Sequence, residues 1–222
     1  MIVKPLLPPV TPPIVTISPL TEGSGTADIL WKIGAYIAIF IVYMLALCLV
    51  LKGIKKEMKI KTPIALLFGA GFGLAILLLF GTTLTAVKGL ILTLILYYAS
   101  LSDLGKREVP NYLSAMIVIL AFVGFDAANL PSMLIGASVV FLPQYIISLV
   151  MKDKPNGGAD IKLSTAAAFM LGAEKGIFAL IVGLLAGVLT MLALRLFKKA
   201  KKGEPFPLVP FLSVGALFAF CL

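Results

Sequence analysis

The sequence predicts an all-α fold: a polytopic transmembrane bundle of about eight helices with both termini on the extracytoplasmic side. Three observations predict it. First, 60% of the 222 residues are apolar, only 13% are charged and the mean hydropathy is +1.10, far from the balance of soluble domains. Second, the apolar residues run continuously over stretches approaching the ~20 residues that cross a bilayer, without the two-residue alternation of a membrane barrel. Third, fifteen of the nineteen Lys and Arg residues fall in four clusters, at 52–61, 106–107, 152–162 and 195–202, which punctuate the apolar stretches. A net charge of +9 spread in this way is a topology signal and not a stripe for nucleic acid, so membrane lipid is the expected surrounding and no nucleic-acid partner is expected.

The elements follow in order. Residues 1–28 hold six of the fourteen prolines, with Thr, Ser and Gly, and a single basic residue, Lys4; they read as an extended polar tail outside the membrane. They lack the charged start and short apolar core of a cleavable signal peptide. Apolar segments then lie at about 29–52, 62–82, 83–101, 111–125, 131–151, 161–172, 176–196 and 207–222. The second and third join at a tight Gly-Thr-Thr turn, and Lys88 sits near the outer end of the third, where its stem can snorkel. Placing the four basic clusters in the cytoplasm lets the sides alternate without conflict. The loops 52–61, 102–110, 152–160 and 197–206 then face in, and 82–88, 126–131, 172–176 and the C-terminus face out. The sixth segment is short: the twelve residues 161–172 make about 18 Å of helix against a ~30 Å hydrocarbon core. Either the bilayer thins or the path bends, or the loop leading to Asp160 dips below the cytoplasmic interface. Such a loop is tolerated where protein buries it or it lines a wet cavity, and this second path is the expected one. The organisation read from these signals is a tail over 1–28, two accessory helices over 29–82 and a six-helix core over 83–222.

Composition narrows the chemistry. Histidine is absent, which removes Ser-His triads, Cys-His dyads and HExxH zinc sites. Cys48 and Cys221 lie in different apolar segments without CxxC spacing and read as small buried hydrophobes, so no metal site is expected. Acid–base work falls to Asp, Glu, Lys or Tyr. Two aspartates stand out, Asp103 in SLSDLGKREVPN and Asp160 in NGGADIK, both at inner ends of apolar segments. Each alone has an ordinary reading. Gly157 and Gly158 allow positive φ and close backbone approach, and Asp160 is then a plain N-cap for a helix starting at Ile161. Asp103, before Gly105, Lys106 and Arg107, is a solvated loop charge, followed by an extended pre-proline stretch that turns into the next helix at Asn111. Together they are more informative. Two close carboxylates cannot both ionise easily, so one keeps its proton while the other acts as base towards water. That dyad hydrolyses a peptide bond without histidine or metal.

At these residues the sequence resembles the type IV prepilin peptidases, including the archaeal preflagellin peptidases, which are GxGD aspartyl proteases. Ser102-Asp103 followed by Arg107, Val109, Pro110 and Asn111 is similar to the block of the first catalytic aspartate. Gly157-Gly158-Ala159-Asp160-Ile161-Lys162-Leu163 is similar to the GxGD block with its following lysine, with Ala159 where the motif has its second glycine. Pro207-Leu208-Val209-Pro210-Phe211-Leu212 and Gly215 resemble the family's proline-rich lead into the last helix. The resemblance covers about 83–222.

It implies an aspartic endopeptidase with Asp103 and Asp160 catalytic, supported by Gly157, Gly158, Ala159, Lys162, Arg107, Pro110 and Asn111, and with no cofactor. The implied substrates are pilin or archaellin precursors, cut on the cytoplasmic side between a short basic leader and an apolar helix. Bacterial members carry a tetracysteine zinc segment and an N-methyltransferase activity; the two cysteines here imply a peptidase without methylation. Lys162 is a partner for a carboxylate or for nearby backbone, or a snorkelling interfacial lysine. Lys106 and Arg107 set topology; Glu57, Glu108, Asp153 and Glu204 are candidate leader contacts; Tyr97 and Tyr98 fit an interfacial aromatic belt. Two rival readings stay open. One is a presenilin-like intramembrane protease, whose Tyr-Asp and Pro-Ala-Leu signatures are missing. The other is a small ion-coupled transporter using the aspartates as cation sites.

Overall fold

The computed structural model describes residues 26–55, 62–150, 158–197 and 206–222. Among them are eight α-helices and no strand: α1 (Thr26–Lys55), α2 (Thr62–Phe80), α3 (Leu84–Lys106), α4 (Asn111–Ala121), α5 (Leu130–Val150), α6 (Gly158–Leu171), α7 (Ala173–Leu196) and α8 (Val209–Cys221). Four of the spans are long and apolar enough to cross a membrane: Leu30–Gly53, Leu84–Lys106, Ala127–Val150 and Ala173–Leu196. The all-helical, multi-pass class expected from the apolar runs is the class observed.

The helices sort by what surrounds them. Leu92, Leu96 and Ala99 of α3, Leu113, Ile117 and Leu120 of α4, Leu163, Ala166 and Ala167 of α6, Ala179 of α7, and Val209, Ala216 and Phe220 of α8 form the main core. More than half of the α3 span is buried, against less than a fifth for α1, α5 and α7. Those three helices turn rows such as Ile37, Ile41 and Leu45, or Leu142 and Ile146, or Leu185, Leu189 and Leu192, outward. In water such rows would be a liability; against lipid tails they are the expected surface. A second cluster, Tyr43 with Ile76, Leu77, Ala86 and Leu90, seats α1 and α2 on α3.

Connections are short and locally specified. Thr83 caps α3, its hydroxyl accepting from the Ala86 N–H at 3.3 Å. Lys88 does more than snorkel: its ammonium donates to the Ala121 carbonyl at 3.5 Å, a cation at the C-terminal end of α4. The expected 172–176 turn shrinks to one residue. Gly172 adopts φ +82, a conformation that glycine enters freely, and Ala173 N–H bonds to Ser132 Oγ at 3.0 Å. Pro143 inside α5 cannot donate to the ladder, and beside it Gln144 Nε2 donates to the Val140 carbonyl and to Ser164 Oγ, both at 3.0 Å. That pair ties α5 to α6 one turn after Asp160.

Candidate active site

The site sits where helix ends gather. Leu51 at the end of α1 clusters with Leu101 near the end of α3, and the position of Gly187, late in α7, lies against Leu208 at the start of α8. Asp103 of α3 reaches the first residue of α8, and Lys162 of α6 reaches the first residue of α4.

Asp103 lies inside α3 and not in a loop. The sequence places the helix end at about 101, because Gly105 and the charges look like a terminus. In the structure α3 runs on to Lys106 and stops at Arg107, whose left-handed backbone (φ 57, ψ 29) lets its N–H close on the Asp103 carbonyl at 3.0 Å. A non-glycine residue in that region is uncommon. The linker beyond is fixed by the Ser102 hydroxyl, which donates to the Glu108 carbonyl at 2.6 Å. The Asp103 side chain is buried, 9% exposed, and its Oδ2 accepts the Val209 N–H at 3.2 Å. Helix N-termini present unpaired N–H groups. No side chain caps α8 locally at Leu208, so a carboxylate 106 positions away supplies an acceptor.

Asp160 also departs from the expected loop. Helix α6 begins at Gly158, so Asp160 is in the first turn and not the N-cap. Burial, and after it the neighbouring charge of Asp103, push its carboxyl up to about 6. The structure thus brings the two carboxylates within electrostatic reach of each other. Among the described residues, no three of Cys, Asp and Glu gather as ligands for a metal ion.

The supporting residues divide. Lys162 Nζ donates to Asn111 Oδ1 at 3.0 Å, joining two of the sequence-predicted residues across α6 and α4; the lysine engages a side-chain amide, a partner the sequence does not reveal. Pro110, extended at φ −61 and ψ 135, precedes α4, and its carbonyl accepts from Leu113 N–H at 3.1 Å. Ala159 is half-buried. Gly158 corrects an expectation: it is helical, its φ is not positive, and open space lies where a Cβ would stand, so local packing does not demand glycine. Gly157 lies outside the described residues, as do Glu57, Asp153 and Glu204; Glu108 is exposed.

Sequence reasoning missed a slot beside Asp103. A cavity of about 530 Å³ is lined by Phe68, Phe72, Thr93, Tyr97, Leu104 and Phe211, among others. The Tyr97 hydroxyl is buried and has no hydrogen-bond partner among the described residues. Tyr98 hydrogen-bonds with Tyr112. A signal existed, since positions 93, 97, 100 and 104 share one helical face and three of them carry hydroxyls.

Comparison with known proteins agrees with the motifs. Residues 90–192 match the model of the type IV leader peptidase family. A curated relative, the prepilin leader peptidase/N-methyltransferase of Bacillus subtilis (strain 168), is 28% identical over 152 residues, covering 64% of this chain and 58% of that protein. The chain therefore spans less than two thirds of that relative's length. No solved structure matches. Over residues 90–192, this chain is similar to the type IV leader peptidase family.

Proposed function

We propose that this protein is a membrane aspartyl endopeptidase that removes the short basic leader of prepilin or archaellin precursors, without N-methylation. The observation that carries the reading is the pairing of Asp103 and Asp160 at one end of the bundle: the first accepts the Val209 N–H, and the second is half-buried within reach of its charge, with its carboxyl raised to about 6. Helices α3 to α8 are the catalytic core, and α1 and α2 are accessory.

The division of labour follows from the surroundings. The Val209 N–H, donated at a helix N-terminus, favours the ionised form of the Asp103 carboxyl, and on this reading Asp103 is the base that takes a proton from water. As the oxygen of water bonds to the carbonyl carbon, Asp160 gives its proton to the carbonyl oxygen, leaving a tetrahedral diol with Asp103 protonated and Asp160 ionised. The C–N bond then breaks as Asp103 passes its proton to the leaving amine and Asp160 takes one back from a diol hydroxyl, which restores both carboxyls. No group outside the chain is needed to balance the step.

The basic residues support a cytoplasmic site. Lys52, Lys106, Arg107, Lys162 and Arg195 all stand near the helix ends that gather there, and positive charge marks the cytoplasmic side. Both termini then lie outside.

The purified protein, incubated with a synthetic precursor carrying a Lys/Arg leader and an apolar helix, is expected to release the leader. Asp103→Asn and Asp160→Asn are each expected to slow this at least ~10³-fold while folding as the parent does. Processing at the parental rate by either variant sinks the assignment.

A further inference from the structure

Helix α8 is tied to α3 at two heights. At the helix ends the Val209 N–H donates to Asp103 Oδ2 at 3.2 Å. One turn further along each helix the Ser100 and Ser213 hydroxyls lie 2.9 Å apart, and both reach the Leu96 carbonyl, at 2.7 and 3.3 Å respectively. The spacings agree. Ser100 precedes Asp103 by three residues and Ser213 follows Val209 by four, so each pair shares a helical face and the two helices run in opposite directions. Ser213 is buried, and it lies with Val209 outside the stretch 90–192 that matches the family model.

The two ties differ in what they tolerate. An N–H···O bond of 3.2 Å stands at the long end of the usual range, so a small lift or turn of α8 breaks it. The serine pair, at 2.9 Å, is the closer contact. Leu92 of α3 and Ala216 and Phe220 of α8 share the apolar core, but apolar contact is non-directional and sets distance more than height. On the opposite face α8 is gripped by α7. Ser213 and Gly215 stand about 200° apart around the helix, and a Cβ on Gly215 would lie 2.8 Å from Gly183 N. Within α8 the Phe211 and Leu212 N–H groups turn back to the Leu208 carbonyl, whereas that of Val209 goes to Asp103.

We propose that Ser100 and Ser213 are positioning residues: their hydrogen bond sets the height and rotation of α8 at which the Val209 N–H meets the Asp103 carboxylate. The inference rests on the peptidase reading and deepens it, since the serines act on the cleavage step only through Asp103. Hydrogen bonds between membrane helices each add little stability. When Ser213 loses its hydroxyl, that of Ser100 still has the Leu96 carbonyl, so the fold does not depend on the pair. Catalysis does, because a displacement of about 1 Å can cost ~10²-fold in rate. A plain packing role predicts the reverse, a lower melting temperature without a selective loss of kcat.

Amide exchange and kinetics test it together. Pro207 and Pro210 carry no N–H, so between them only Leu208 and Val209 do. Hydrogen exchange of a fragment covering that stretch therefore reads the Asp103 bond in lipid vesicles without substrate. Ser213→Ala is expected to speed exchange there about tenfold and to lower kcat on the synthetic precursor about tenfold, with KM and melting temperature as in the parent. Ser100→Ala is expected to do the same, and the double variant no more than either single one, because the two hydroxyls serve one contact. Ser138→Ala removes a hydroxyl bonded within α5 to the Leu134 carbonyl and is expected to match the parent. Parental exchange in Ser213→Ala overturns the proposal. So does a loss of kcat accompanied by a lower melting temperature, or a double variant slowed about a hundredfold. A protein that cuts no precursor, while Ser213→Ala speeds exchange, refutes the peptidase reading alone. One that cuts precursors, and whose Ser213→Ala variant keeps parental exchange, refutes the positioning alone.

Discussion

Asp160 sets the pH response of the site. An ordinary aspartate titrates near ~3.9, whereas burial and the charge of Asp103 lift this one to about 6. Because the folded value is raised, its contribution to stability is fully present below the unfolded value and is lost as pH rises through about 6. Activity follows the same proton: kcat/KM is expected to fall on the alkaline side with an apparent value near 6 that belongs to the pair. A flat profile between pH 5 and 8 contradicts the assignment of Asp160 as the acid. Arg107 makes a separate prediction. Its left-handed backbone (φ 57) costs a residue with a Cβ ~1–2 kcal/mol, so Arg107→Gly is expected to leave the fold as stable or up to ~1 kcal/mol more stable, read by thermal unfolding. A loss beyond that range means that the guanidinium contributes more than the cap does.

At the scale of elements, α7 and α8 pack as closely as helices can. A Cβ on Gly215 would collide with the Ala179 carbonyl and stand 2.8 Å from Gly183 N, and one on Gly183 would stand 2.9 Å from Leu212 Cα. Small residues allow this approach in membrane bundles. Gly215→Leu is therefore expected to cost ~1–3 kcal/mol or more and to lower cleavage as well, since Val209 sits six residues earlier on the helix that is displaced. A variant with the parental melting temperature and rate shows that the interface is looser than its geometry. Much of this level was legible in the sequence. Continuous apolar runs give the number and order of the helices, and the two aspartate blocks point to the pair. Helix ends were less legible. Gly105 is a weaker stop than the backbone bond from Arg107 to Asp103 is a continuation, and Gly158 joins α6 because open space around it leaves a helical start unopposed. The slot was illegible for a different reason. Its walls come from three helices, the last more than a hundred residues after the second, and the hydroxyls at 93 and 100 look ordinary until it is known which carbonyls they reach.

For the whole molecule, the decisive question is sidedness. With Cys48 and Cys221 replaced by serine, single cysteines at Lys56 and Gly158 are expected to react with an impermeant thiol reagent only from the cytoplasmic side. Labelling from opposite sides breaks the shared end at which the dyad is placed. The bond from Val209 to Asp103 has a consequence for how such a protein is made. The ribosome delivers Asp103 106 residues before the N–H that fixes it, and five helices (α4 to α8) must follow α3 into the bilayer before the last of them closes on the carboxylate. A nascent chain halted before residue 209 holds both aspartates but no anchored pair. On the proposed reading, proteolytic competence arrives only with the final helix.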